Sequence, residues 1–315
     1  MRAVKINNNE LEIVSQETPQ PGPDDVVIEV RAAGLNAADL LQRRGFYPAP
    51  PGWPSDIPGL ECAGVVHAVG RNVTSVSVGD RVAAIVGGGG QATHCVVPAE
   101  HLIAVPSSIP DTDAGGFAEA FTTAFDALVL NAHIAPNERV LISGAAGGVG
   151  LAAVQIARAF GAVAVAVTRD DRHHSALREL GASECVTLDD VGTIKDVDVI
   201  LELVGAAHLA AAQTKLRPFG RVVVIGVGSG GRVEIDLLGL MSRRASLTGS
   251  TLRARSREEK ASIALAVNDQ LVPLWADGTL RVVLSDALSL DQASEAYDLF
   301  AQPGKLGKIV LVNEA

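Results

Sequence analysis

The residues of this 315-residue chain best placed to do chemistry are the glycines at 144, 147, 148 and 150 in Ser143-Gly144-Ala145-Ala146-Gly147-Gly148-Val149-Gly150. The apolar run Arg139-Val140-Leu141-Ile142 before them reads as a buried strand, and the Ala-rich run Leu151 to Phe160 after them as a helix. Small residues at such a turn let backbone N–H groups and the positive end of a helix dipole approach a phosphate. Ala145 stands in the first slot of a GxGxxG pattern, so the strict motif is not met. The strand before, the helix after and a second strand, Val163 to Thr168, at the right distance carry the reading of a dinucleotide loop. An ordinary tight turn is the alternative. Ala146, Gly147, Gly148, Val149 and Gly150 are the expected pyrophosphate contacts.

The end of the second strand chooses between NAD and NADP. An NAD-binding chain usually carries Asp or Glu there for the ribose 2′-OH. Here the position is Thr168, 18 residues past Gly150, followed by Arg169, Asp170, Asp171, Arg172 and His173. Arg169 and Arg172 could clamp a 2′-phosphate, which favours NADPH. Asp170 and Asp171 argue the other way, since a register slip of two would bring a carboxylate to the ribose. A solvated helix start is the other reading of the arginines.

The elements that must position these groups follow from the rest of the chain. Asp171 to Leu180 reads as a helix, Val197 to Val204 and Arg221 to Gly226 as strands, and His208 to about Leu216 as a helix between them. Strands alternating with helices predict an α/β, doubly wound parallel sheet. Ligands sit at the carboxyl ends of such strands, so Val204-Gly205 and Val227-Gly228 should face the cofactor. Residues 1–117 instead show short β segments with turn punctuation, such as Val26 to Val30 and Ala63 to Gly70, as in a β-rich barrel-like domain. The proline-stiffened loop Tyr47 to Pro54 lies within them, with Phe46, Tyr47 and Trp53 close together. After Ser250 the alternation weakens. Glu258 to Leu274 and Ala293 to Ala301 read as helices, and Gly307 to Val312 as a terminal strand returning to the N-terminal domain. The expected division is 1–117 with 254–315 as substrate domain and 118–253 as dinucleotide-binding domain.

Composition excludes other classes. Twenty-six Lys and Arg against 36 Asp and Glu leave a formal charge of −10. Nucleic acid and anionic membrane both require a basic face. Seven Phe, two Tyr and two Trp are too few for a base-stacking platform. Cys62, Cys95 and Cys185 are an odd, scattered set that cannot form a disulfide framework. With no apolar leader and no membrane-length apolar run, a cytoplasmic protein is expected.

Several segments together bear a family likeness: Gly34-Leu35-Asn36-Ala37-Ala38-Asp39 running on to Phe46-Tyr47-Pro48, Pro58-Gly59-Leu60-Glu61-Cys62-Ala63-Gly64, Gly88-Gly89-Gly90-Gln91-Ala92, and Glu119-Ala120-Phe121-Thr122-Thr123-Ala124-Phe125. With the loop at 144–150, the whole chain resembles the medium-chain dehydrogenase/reductase superfamily. It looks like the quinone oxidoreductase (zeta-crystallin-like) branch, and most like its tumour-suppressor-inducible group. The resemblance implies a Rossmann domain plus a GroES-like barrel domain. It implies that Asn36, Tyr47 and Thr123 line the nicotinamide and acceptor, and that Leu252, Arg253 and Lys308 lie near the cofactor. It also implies a homodimer or dimer-based homotetramer, with Val222 to Val227 as the pairing edge. The alcohol dehydrogenases of this superfamily hold zinc with a Cys where this chain has Asn36 and a His where it has Leu60. An amide and an alkyl group cannot replace those ligands. His67, His94 and His101 have no partners at ligand spacing, so no metal is expected.

Without a Lewis acid, alcohol oxidation lacks a means of stabilising an alkoxide. A quinone spreads the incoming charge over its ring and two oxygens. The expected activity is therefore an NADPH-dependent, metal-free reduction of a quinone or similar conjugated acceptor. Tyr47 would offer a ring face and an O–H, and Asn36 an amide, to position nicotinamide and substrate. Tyr47 could equally pack against the prolines, and Asn36 could cap a turn. An NADPH-dependent enone or enal C=C reductase, or a non-catalytic NADPH-binding protein, are the alternatives.

Overall fold

The computed structural model describes residues 1–313. The chain divides into two compact units, Met1–Thr122 with Leu252–Ala315, and Thr123–Thr251. The second unit thus begins five residues later than the sequence suggests and ends two earlier. The helix Ala118–Phe125 starts in the first unit because Phe117 and Phe121 stack there, with Trp275 stacked on Phe117 at 3.8 Å.

The second unit is a six-stranded, all-parallel sheet. Its spatial order is Ala182–Thr187, Val163–Thr168, Arg139–Ile142, Val197–Glu202, Leu216–Val224 and Ser246–Gly249. Numbered along the chain, this is the order 3-2-1-4-5-6 of the Rossmann fold. The central strands are runs of Val, Ala, Ile and Leu because helices cover both faces. The direction in which successive strands are added reverses between Arg139–Ile142 and Val197–Glu202, so the loops leaving these two strands flank the ligand crevice.

Two expectations for this unit need correction. The segment Val222 to Val227 is not an edge: Leu216–Val224 is hydrogen-bonded to strands on both sides, and the edge strands are Ser246–Gly249 on this side and Ala182–Thr187 on the other. The helix expected from Asp171 starts only at His174, because the Asp170 carboxylate accepts from the Arg172 N–H and holds a turn there.

The first unit is β-rich. Its main sheet runs Leu284–Ser289, Lys308–Val312, Asp25–Gly34, Glu61–Val69, Arg81–Ile85 and Leu102–Ala104, with His94–Pro98 also paired to Asp25–Gly34. All pairs are antiparallel except the first, which is parallel. The C-terminal strand returns here as expected, with Val310 opposite Gly34. Val26, Ile28, Val30, Cys62, Val66 and Val97 form its apolar core. The helix expected over 258–274 is two, Arg257–Gln270 and Val272–Ala276. Pro273 lacks the N–H that a continuous helix would need and instead sits in the first turn of the second.

Candidate active site

In the second unit, the chain leaves Ile142 through Gly144, whose φ of +60° suits glycine, and enters the helix Gly148–Ala159. No side chain caps this helix and its first turn carries no acidic residue, so its N-terminus is left for an anion. Gly150 packs the helix onto the turn: a Cβ there would lie 2.5 Å from the Gly144 carbonyl oxygen and 2.6 Å from Ala145 Cα. At Gly147 a Cβ would meet only the Gly144 oxygen, at 3.4 Å. The loop predicted from sequence is therefore assembled at the crevice, and its residues fit a pyrophosphate.

Three residues that sequence reading passed over fix the opposite side of the crevice. The buried Glu202 carboxylate accepts from Ser143 Oγ at 2.8 Å and from the backbone N–H groups of Val204 and Gly205, each at 2.7 Å. Its other oxygen pairs with His208 Nδ1 at 2.5 Å. Burial acts to raise the Glu202 pKa, but the His208, Gly205 and Ser143 hydrogen bonds prevail and hold it below the usual range. Ser143 Oγ also accepts from the Leu203 N–H. One carboxylate thus ties together the two loops that leave the neighbouring strands, and so positions Val204 and Gly205. A lone Glu closing the apolar run Val197-Asp198-Val199-Ile200-Leu201 was the available signal. Val227 and Gly228 follow the next strand and are exposed, and the Val204 carbonyl accepts from Ser229 N–H.

Thr168 ends its strand buried, with its hydroxyl bonded to the Asp170 carbonyl and to His174 Nε2, both at 2.8 Å. Arg169 is exposed. Arg172 is also exposed and pairs with Asp170 at 2.8 Å. Of the two carboxylates that compete with the arginines in the sequence, Asp170 is thus held by one of them, and Asp171 is exposed.

In the first unit, Asn36, Glu61 and Lys308 meet in the interior. Lys308 Nζ donates to Leu35 O at 2.9 Å, Asn36 Oδ1 at 2.6 Å and Glu61 Oε1 at 2.6 Å. Asn36 Nδ2 donates to Glu61 Oε1 and to Gly34 O. An ammonium has three N–H donors, and all three of Lys308 point to this cluster, so its role is internal to the first unit. Asn36 keeps spare capacity only as an acceptor at Oδ1. Glu61 Oε2 accepts from Glu119 N–H at the start of the helix Ala118–Phe125, which leads to Thr122 and the buried Thr123. Asp39, buried nearby, is pushed up to about 7 by desolvation, against the Asn36 and Gly59 N–H groups and the charge of Lys308.

The aromatic loop separates its members. Phe46 is exposed and Trp53 packs against the apolar core, leaving Tyr47 half-buried. Arg253, expected beside the cofactor, is buried in the first unit. Its Nε and one terminal nitrogen donate to Gly87 O, the other terminal nitrogen to Tyr47 O, and its carbon centre lies 4.8 Å from the Tyr47 ring centroid. Leu252 lines a small cavity of about 20 Å³ with His101, Thr122 and Lys260.

A Rossmann sheet with a glycine turn at its crevice, and a β-rich unit with a buried polar cluster, are the parts of a nicotinamide-dependent oxidoreductase. Residues 22–130 match the alcohol dehydrogenase GroES-like domain family and residues 148–268 the zinc-binding dehydrogenase family. Quinone oxidoreductase of Sus scrofa is 32% identical over 305 residues, spanning 93% of this chain and 91% of its own. CurK enoyl reductase superposes with a TM-score of 0.86 at 27% identity, over 99% of this chain and 98% of that one. A cobalt- and zinc-bound thermostable alcohol dehydrogenase from Pyrobaculum aerophilum superposes with a TM-score of 0.85 at 29% identity, over 99% of each chain. The chain belongs to the medium-chain dehydrogenase/reductase superfamily, in its quinone oxidoreductase branch.

One of the matching families is named for zinc, and the residues here do not fit that ion. The oxygens of Asn36 and Glu61 already surround an ammonium, and the neighbouring position is the buried Leu60. Among the described residues, no group of three or more His, Cys, Asp or Glu is placed to hold a metal. Nor is any helix among them long and apolar enough to cross a membrane.

Proposed function

We propose that the chain is an NADPH-dependent, zinc-independent reductase of quinones or similar conjugated acceptors. The observation that carries this reading is the Lys308 ammonium between Asn36 Oδ1 and Glu61 Oε1. An ammonium whose three donors are all used has none left to stabilise a substrate alkoxide, so in this reading the acceptor itself carries the charge that hydride delivers. A quinone does so through its ring and second oxygen. The bound cofactor supplies the hydride. Tyr47 and Asn36 orient the acceptor and ribose, and solvent supplies the proton. The enone reductase reading draws support from the likeness to CurK enoyl reductase. Oxidation of NADPH by a benzoquinone and by an enone, measured beside reduction of NADP by an alcohol, tests both. Turnover of the alcohol alone would overturn the metal-free mechanism. NADPH that binds but is oxidised by no acceptor would leave a binding protein.

For the cofactor, Arg169 and Arg172 are the 2′-phosphate readers in this proposal. Arg169→Ala with Arg172→Ala is expected to weaken NADPH by about tenfold or more, the scale of a lost charge-assisted contact, and to leave NADH nearly unchanged. Calorimetric titration with both nucleotides checks it, and equal losses would remove the arginines from that role. Asp170→Asn releases Arg172 and should tighten NADPH.

The cysteines are free, in keeping with a cytoplasmic setting. For assembly, the edge strand Ser246–Gly249 is exposed throughout and has the exposed Leu237, Leu238 and Met241 in the same unit. An open, partly apolar edge invites pairing with a second copy. The chain is accordingly expected to sediment as a dimer or a dimer of dimers. The Ser250 N–H, and by alternation the Thr248 N–H, face Leu216–Val224, so Leu247→Pro removes a backbone donor from the open side of that edge and should yield monomers in analytical ultracentrifugation. A wild-type monomer at micromolar concentration would contradict the assignment.

A further inference from the structure

We propose that Arg253 is a positioning residue for the acceptor: it staples both ends of the loop Tyr47 to Ser55 and sets a buried positive charge behind the Tyr47 ring. This rests on the reading of Tyr47 as the acceptor-facing residue.

Arg253 is 4% exposed. Two of its nitrogens converge on Gly87 O, at 2.9 and 2.7 Å, and a third bond reaches Tyr47 O at 2.7 Å. The fourth goes to Gln42 Oε1 at 2.5 Å. Gln42 is itself buried, and its Nε2 donates to Ser55 O at 3.2 Å. One guanidinium therefore holds the start of the loop directly and its end through a single amide. Gly87 is shaped for this contact, because a Cβ there would lie 2.5 Å from the Trp53 ring on the other side. The loop's own prolines supply no backbone donors, so the restraint has to come from outside it.

The charge is as unusual as the geometry. Buried arginines are normally paired with a carboxylate. The partners of Arg253 are two carbonyls, an amide oxygen and a ring face, and among the described residues it forms no ion pair. Burial correspondingly lowers its pKa, with Tyr47 and Asp39 opposing. A cation without an ion-pair partner is costly in a low-dielectric interior. It is useful where negative charge develops, as on the oxygen of a conjugated acceptor receiving hydride at Tyr47. Lysine could keep the charge but could not present the planar fork to three oxygens.

The test compares Arg253→Lys and Arg253→Met, each with Tyr47 intact and with Tyr47→Ala, in the full chain. The first readout is amide hydrogen exchange over residues 46–55. Both variants should speed it by about tenfold or more while the cofactor unit stays protected. The second is steady-state kinetics with a benzoquinone. Arg253→Lys should raise the acceptor KM, and Arg253→Met should lower kcat as well, by roughly 30-fold in kcat/KM, with NADPH affinity unchanged. With Tyr47→Ala in place, neither substitution should matter further. Unaltered exchange would overturn the staple. Equal kinetic losses with and without Tyr47 would make Arg253 merely structural. Faster exchange in a protein that reduces no acceptor would uphold the staple and sink the reductase reading. If Arg253→Met does not fold, Arg253→Lys and Gln42→Met carry the same readouts.

Discussion

Gly150→Ala is expected to raise the dissociation constant for the nicotinamide cofactor about a hundredfold or more, whereas Gly147→Ala changes it by no more than about threefold. The difference comes from where each Cβ would go. At Gly150 it would stand 2.5 Å from a carbonyl oxygen and 2.6 Å from an α-carbon, both backbone atoms of the preceding turn. Backbone cannot rotate away as a side chain can, so the helix must move off the turn. Overpacking of this kind costs about 1 to 3 kcal/mol. It also shifts the helix N-terminus from the place where its N–H groups converge. At Gly147 the nearest atom is 3.4 Å away, an ordinary contact. Isothermal titration calorimetry on the two variants, with thermal melts to follow folding, separates the effects. Wild-type affinity in Gly150→Ala would mean that this turn is not the pyrophosphate cradle.

That glycine turn was legible in the sequence because its parts are local: a strand, small residues and a helix within some twenty positions. The parallel sheet was legible for the same reason, since each βα unit announces itself by a change of period. What escaped depends on distant pairing. Ser246–Gly249 is short and exposed, and nothing in its composition marks it as the sixth strand; only its register with Arg221 to Val224 does so. The family resemblance offers Val222 to Val227 as the pairing edge; Val222 and Val223 are instead buried inside the sheet, and Val227 lies beyond the strand, exposed. Arg253 is placed near the cofactor by the same resemblance. Its partners at 42, 47 and 87 lie more than 160 positions away in the chain. That Asn36 and Leu60 make poor zinc ligands is an expectation from their chemistry alone. That Lys308 fills the space between Asn36 and Glu61 required the C-terminal strand to be seen beside Asp25–Gly34.

Lys308→Met should be among the most destabilising single substitutions in the chain. It leaves Glu61, fully buried, without its cation, and frees the Leu35 carbonyl and Asn36 Oδ1 as well. Breaking one side of a buried ion pair costs about 3 to 5 kcal/mol. For a domain of this size, that corresponds to a melting temperature roughly 6 to 20 °C lower. The damage should extend along the polypeptide. Glu61 also accepts the Glu119 N–H, so an unrestrained Glu61 loosens the start of the helix Ala118–Phe125. Acceptor turnover, which in the proposed mechanism needs Asn36 held in place, should fall with it. Glu61→Gln alone should cost a similar amount, because it strands the ammonium. The double substitution should cost clearly less than the two singles added, since both charges are then gone. Thermal or urea unfolding of the four proteins gives this cycle directly. Additive losses would show that Lys308 and Glu61 stabilise the fold independently, and the ammonium would then no longer support the proposed metal-free mechanism.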